Sequence, residues 1–268
     1  MFNLYAFGCS FTKYEWTTWA DILGNYADHY ENFGKRAAGN YFVFHQLIDF
    51  IATHDFKQND VVAVCWAPSF REDRIKNDKW LHSGPLLKMR TKEYNKEFVD
   101  TFFDPTHYLK RDRCFFSSSI EILESKNIKY VMFSVDEILL DFKDLTRFFQ
   151  KDLYNITKSL LAEYLSGRKD ISELRSKNRY SKYEGKLLPP MFEYLQTKYR
   201  ESQKRPISRF SWKPDQIFED DHPTPLEHLH YVKNVLLPRF PFPIDIKDSH
   251  LRTLEEENLK VLSGINTL

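Results

Sequence analysis

Short apolar runs alternate with stretches of helical spacing through the first half of the chain. Residues 3–8, Asn-Leu-Tyr-Ala-Phe-Gly, predict a short buried strand ending on a glycine, with Cys9-Ser10-Phe11-Thr12 as the following turn. A helix is expected over about residues 16–26, because Trp19, Ile22 and Leu23 share one face. Residues 30–33 suit a short second strand. Residues 42–54 predict a strong amphipathic helix, in which Phe44, Leu47, Ile48 and Ile51 recur at the helical period. Residues 60–66, Asp-Val-Val-Ala-Val-Cys-Trp, form a nearly unbroken apolar, β-branched run, the pattern of a strand covered on both faces of a parallel sheet. A second pair follows: a helix over residues 118–126, with Ile120, Ile122 and Leu123 apolar, then a buried strand over residues 129–135. Residues 137–165 read as a long helical region.

Strands alternating with helices imply a three-layer α/β/α sandwich around a mostly parallel sheet of about five strands. One domain over residues 1–268 accommodates that core. Two segments break the rhythm. Residues 69–114 mix polar and aromatic side chains with weak periodicity, and residues 166–214 are polar and basic, with 13 basic against 5 acidic side chains between positions 168 and 213. Both are expected to be insertions over the active-site edge of the sheet, containing helices, since loops of that length without structure are uncommon. Residues 238–268 would then be a C-terminal extension. The basic segment suits a solvated face or a groove for an anionic glycan. No nucleic-acid-binding motif accompanies it.

Composition narrows the classes further. The chain is 42% hydrophobic with a formal net charge of +1, so its global balance calls for no polyanionic partner. Aromatic residues reach 16%, which suits a core filled with rings and a few rings left to stack on sugar faces. Three cysteines, Cys9, Cys65 and Cys114, form no spaced cluster and leave an odd thiol, which argues against a disulfide scaffold and a zinc site. His228 and His230 lie two apart on an expected helix and so face different ways, which argues against a metal centre with His222. No signal peptide or apolar segment of membrane-spanning length is evident, and the expected location is the cytoplasm.

Two local motifs carry candidate chemistry. Ser10 falls at the first strand-to-helix junction, and α/β sheets place ligands outside the carboxyl ends of their strands. Near a helix N-terminus its own N–H is suited to binding an oxyanion. The second motif is Asp220-Asp221-His222-Pro223-Thr224-Pro225-Leu226-Glu227. Thr224 and Glu227 have capping-box spacing, and Pro225 takes the favoured first helical position of a helix expected to run to about residue 237. His222 is thus mounted just ahead of a rigid element, with Asp220 two residues away to orient the ring and stabilise its charged form.

Together these segments resemble the SGNH (GDSL-like) hydrolase superfamily. Gly8-Cys9-Ser10-Phe11 looks like a relaxed first block, and Asp220-Asp221-His222-Pro223 resembles the last. Asn32-Phe33-Gly34-Lys35-Arg36-Ala37-Ala38-Gly39-Asn40 is similar to the second block, which ends on an asparagine. The third block departs from the family: Cys65-Trp66-Ala67-Pro68-Ser69-Phe70-Arg71 offers no asparagine as third oxyanion donor. The resemblance covers residues 1–70, 115–136 and 215–237, and leaves both insertions unexplained. It implies a flavodoxin-like fold and a serine esterase without cofactor or metal, removing an O-acyl group from a carbohydrate. Ser10 would be the nucleophile, His222 its base and Asp220 the orienting acid. The oxyanion hole would draw on the N–H groups of Ser10 and of Ala37 or Gly39, shaped by Asn40, with Ser69 or Arg71 as substitute donor. An acyltransferase would use the same residues. A non-catalytic glycan- or anion-binding protein is the alternative that the missing asparagine favours.

Overall fold

The protein's computed structural model describes residues 1–86, 91–136, 183, 185–200, 208–213, 216–220 and 222–263. The helical region expected over residues 137–165 lies outside them, as does much of the basic segment 166–214.

Four strands, β1 (Asn3–Gly8), β2 (His29–Asn32), β3 (Asp60–Trp66) and β6 (Lys129–Ser134), form one sheet in the order β2-β1-β3-β6. Every pairing in it is parallel. The register sets Gly8 opposite Cys65 and Cys65 opposite Phe133, so the three long strands finish nearly level. Side chains alternate between the faces, as a period of two requires. Leu4, Ala6, Val61, Ala63, Cys65, Val131 and Phe133 point into one buried cluster; Tyr5, Phe7, Val62, Val64, Trp66 and Met132 point into another. Covering the sheet on both sides is what makes β3 apolar at nearly every position.

Helix α2 (Asn40–Thr53) packs on the second face through Val43, Leu47 and Ile51, alongside α4 (Pro105–Ser125), which adds Phe116, Ile120 and Leu123. The first face is covered by α1 (Trp19–Gly24), α5 (Met191–Arg200), α6 (Pro225–Tyr231) and α7 (Asp248–Ser263). This is the α/β layering expected from the alternation. Leu254 of α7 belongs to the main core, and Glu257 accepts the Thr17 N–H at 2.8 Å, so the C-terminal segment is packed into the fold.

Two expectations need correction. Among the described residues the parallel sheet has four strands, not about five. The other strands pair as antiparallel hairpins: β4 (Arg71–Lys76) with β5 (Lys79–Pro85), and β7 (Ser208–Lys213) with β8 (Gln216–Asp220). The segment 69–114 contains helix, as expected, and strand besides. It opens with the β4–β5 hairpin, turned by Asn77 and Asp78 in the left-handed region, and continues through α3 (Lys96–Phe102). Helix α4 starts at Pro105, well before the expected residue 118, because its polar first half hides the apolar period. The helix after Pro225 continues past Tyr231 as a wide turn over Val232–Leu236 and a tight one over Leu237–Arg239.

Candidate active site

The chain leaves β1 toward β2 on one side and returns through β3 on the other, so the carboxyl end of β1 lies at the switch point where α/β folds open a crevice. Ser10 sits two residues past the end of β1, in a tight turn in which Cys9 C=O accepts the N–H groups of Thr12 and Lys13. Gly8 makes that turn possible. A Cβ there would lie 2.0 Å from Thr12 Oγ1 and 2.8 Å from the Cys65 carbonyl oxygen.

His222 comes from the opposite end of the sequence and is held by its flanks. Thr224 caps α6, accepting the Glu227 N–H at 3.3 Å, while the Glu227 carboxylate accepts the Thr224 N–H at 2.8 Å. Trp16 Nε1–H donates to the Pro223 carbonyl at 2.8 Å, tying this segment to the turn that carries Ser10. His222 Nε2 lies 2.7 Å from Ser10 Oγ, and Nδ1 lies 2.5 Å from Asp220 Oδ1. The same Asp220 oxygen accepts the His222 backbone N–H at 2.7 Å, and the other accepts the Tyr14 hydroxyl. With Nδ1–H directed at the carboxylate, Nε2 is left as the acceptor for the serine hydroxyl.

The imidazole is enclosed by rings. Tyr14 stacks on it at 3.9 Å between centroids and 16° between planes, and Phe11 lies against it at 4.7 Å. Phe192 packs edge-on to Phe11. Burial pushes the His222 pKa below its ordinary 6.5; Asp220 opposes the shift, while Arg71 and Arg36 reinforce it. Burial alone would push the Asp220 carboxyl up, but hydrogen bonds from His222 and Tyr14 outweigh it and hold the group below its ordinary value.

The second-block residues divide sharply. Ala37 adopts a left-handed conformation, φ 61°, and among the described residues neither its N–H nor that of Ser10 has an acceptor. The Gly39 N–H, by contrast, donates to Asp73 Oδ1 at 2.9 Å. Asn40 is buried with its side chain fully engaged: its amide nitrogen donates to Ala67 C=O and Asp112, and its oxygen accepts the Ala67 N–H at 2.7 Å. The Gly39 N–H and the Asn40 side-chain amide are therefore already engaged. Asn40 instead ties the start of α2 to the end of β3.

Of the substitute donors, Ser69 lies near Asp112, and among the described residues its buried hydroxyl makes no hydrogen bond. Arg71 is buried, donates Nη1–H to Ala38 C=O at 2.9 Å, and has no partner for Nε among the described residues. Its charge reaches both His222 and Asp136, whose carboxyl burial pushes up to about 7. The spare histidines stand elsewhere. His228, on α6, is buried, and His230 Nδ1 lies 2.9 Å from the Tyr194 hydroxyl. Among the described residues no cluster of histidine, cysteine and carboxylate side chains has metal-site geometry.

Reasoning from sequence did not single out Tyr14, Trp16 or Asp73. The first two had a signal available, since aromatic residues at positions 11, 14 and 16 crowd the turn after Ser10 more densely than a solvent-exposed loop requires. Asp73 had none, because its role depends on a hairpin folding back onto α2.

Fold and site together define an α/β protein with a serine, a histidine and an aspartate in hydrogen-bonded series at the carboxyl edge of a parallel sheet. A crystal structure of a member of the lipolytic protein G-D-S-L family from Veillonella parvula is similar over 87% of this chain and 98% of that one, at 12% identity and a TM-score of 0.42. No protein-family model and no curated protein matches the chain. No helix among the described residues is long and apolar enough to cross a membrane.

Proposed function

We propose that the protein is a serine ester hydrolase of the SGNH (GDSL-like) type, acting on O-acyl groups of a carbohydrate. The observation that carries this reading is the continuous series Ser10 Oγ, His222 and Asp220, with separations of 2.7 and 2.5 Å. Ser10 attacks the ester carbonyl while His222 Nε2 takes its proton. The developing oxyanion is met by the N–H groups of Ser10 and Ala37, with Arg71 supplying positive charge in place of the family's asparagine. His222 then returns the proton to the leaving alcohol, and water repeats the sequence on the acyl-enzyme. Phe192, partly buried and packed against Phe11 beside His222, offers ring surface near the reacting centre, which suits the apolar face of a sugar. The chain acts as one domain, with segment 69–114 bordering the crevice.

A fluorophosphonate probe tests the reading directly. It should label Ser10, and Ser10→Ala should lose both labelling and turnover of short-chain aryl esters while keeping the wild-type melting profile. His222→Ala should be comparably severe, because nucleophile and base act as a unit. Turnover should hold at pH values below 6.5 before falling, since the base must be neutral and burial lowers its pKa. An unlabelled wild-type protein that binds a glycan but turns over neither aryl esters nor acetylated sugars would instead indicate a non-catalytic binding protein.

A further inference from the structure

Tyr14 is a fourth member of the hydrogen-bonded series, and it touches two of the other three. Its hydroxyl donates to Asp220 Oδ2, the oxygen that His222 does not use, while its ring covers one face of the imidazole at 3.9 Å. The opposite side of the phenol ring carries Arg36, whose guanidinium carbon lies 4.6 Å from the centroid. Arg36 in turn pairs with Glu15. Trp16 meets Tyr14 edge-on at 4.6 Å and anchors the neighbouring Pro223 carbonyl. The phenol is therefore fixed on several sides, and its proton has a carboxylate to serve.

We infer that Tyr14 is a positioning residue for the base: it holds the imidazole in plane and draws charge from the far oxygen of Asp220. The inference rests on the hydrolase reading for its catalytic meaning, but not for its physical content. A carboxylate that accepts a hydrogen bond on Oδ2 keeps less charge on Oδ1, so it stabilises the imidazolium less. The phenol stays protonated throughout, because burial and the bond to Asp220 both raise its pKa, with Arg36 opposing. Among the described residues, the charged and titratable groups that bear on His222 include Asp220, Arg71 and Arg36, with Ser10 and Tyr14 in contact. Of these, only Tyr14 is removed in Tyr14→Phe, which keeps the ring and its stacking.

The decisive measurement is the titration of His222 followed by NMR in histidine-labelled protein, with the resonance assigned by its loss in His222→Gln. In Tyr14→Phe the His222 pKa should rise by about half a unit or more as Asp220 recovers its full charge. An unchanged pKa overturns the inference. If Tyr14→Phe does not fold, wild-type protein labelled at tyrosine Cζ serves instead: one tyrosine resonance should follow the His222 titration, and none doing so overturns the inference. Neither readout needs turnover, so an inert protein would sink the hydrolase reading without touching this one. If the protein is active, the acid limb of kcat per labelled Ser10 should move to higher pH in Tyr14→Phe, with KM unchanged. A residue that merely supports packing would lower the melting temperature and leave that limb in place.

Discussion

At the scale of single residues, the turn after β1 depends on an atom that is missing. Gly8 has Thr12 Oγ1 and the backbone of β3 so close that a methyl group has nowhere to go, and a carbonyl oxygen cannot swing aside as a long side chain would. Gly8→Ala should cost about 2 kcal/mol in urea unfolding, and should slow fluorophosphonate labelling because Thr12 and Ser10 share the displaced turn. Wild-type stability and labelling in that variant would show that the turn relaxes freely. Ala37 is the converse case. An alanine held at φ 61° carries about 1–2 kcal/mol of backbone strain. Among the described residues its N–H has no acceptor, whereas that of Gly39 is taken by Asp73.

At the scale of elements, the N-terminus of α2 is closed by a side chain from outside it. A helix leaves its first N–H groups without partners, and here Asp73 of β4 accepts two amides: Gly39 N–H at 2.9 Å on Oδ1 and Phe42 N–H at 3.0 Å on Oδ2. His82 Nδ1 lies 2.8 Å from the same Oδ1. The hairpin thus acts as a cap supplied by a distant segment, and Arg71, two residues earlier, grips Ala38 C=O. Asp73→Ala would strand two buried donors and should cost at least about 2 kcal/mol in chemical denaturation. Loss of labelling at Ser10 should accompany it, because Ala37 immediately precedes the anchored Ala38 and Gly39. A fall in stability with an unchanged labelling rate would separate the cap from the oxyanion geometry. Helix α6, by contrast, carries its own cap in Thr224 and Glu227, so His222 is fixed by local sequence.

At the scale of the whole molecule, paired carboxylates tie separate parts of the chain together. Asp60 at the start of β3 accepts from Asn3 of β1, from the Lys57 backbone and from His54 beyond α2; these bonds outweigh burial and hold its pKa below 3.8. Asp220 is lowered likewise by His222 and Tyr14, after a larger opposing contribution from burial. A carboxyl whose folded pKa is depressed contributes stability that is present above its unfolded pKa and lost as pH falls through the folded value. Unfolding free energy should therefore decline as pH drops from about 4 toward 2, and the decline should be shallower in Asp60→Asn. A flat profile over that window would contradict the pairing.

The same scales separate what local sequence determines from what it does not. The strands β1, β3 and β6, the helix α2 and the Thr224–Glu227 cap follow from periodicity and spacing, because burial on two faces and backbone capping act over a few residues. The order of Ser10 and His222 along the chain, each at a turn beside a helix start, was equally plain, and the structure brings their side chains to 2.7 Å across 212 positions. The first half of α4 stayed hidden because its exposed face is charged. The choice between Ala37 and Gly39 stayed open because a backbone N–H is committed by whatever acceptor arrives from elsewhere. Only the tertiary structure decided that Asp73 would take the Gly39 proton and leave that of Ala37 without an acceptor. Only it placed Tyr14 between Arg36 and His222. Contacts of that kind depend on where a hairpin docks and how a loop closes, and no period along the chain encodes a partner 34 or 206 residues away.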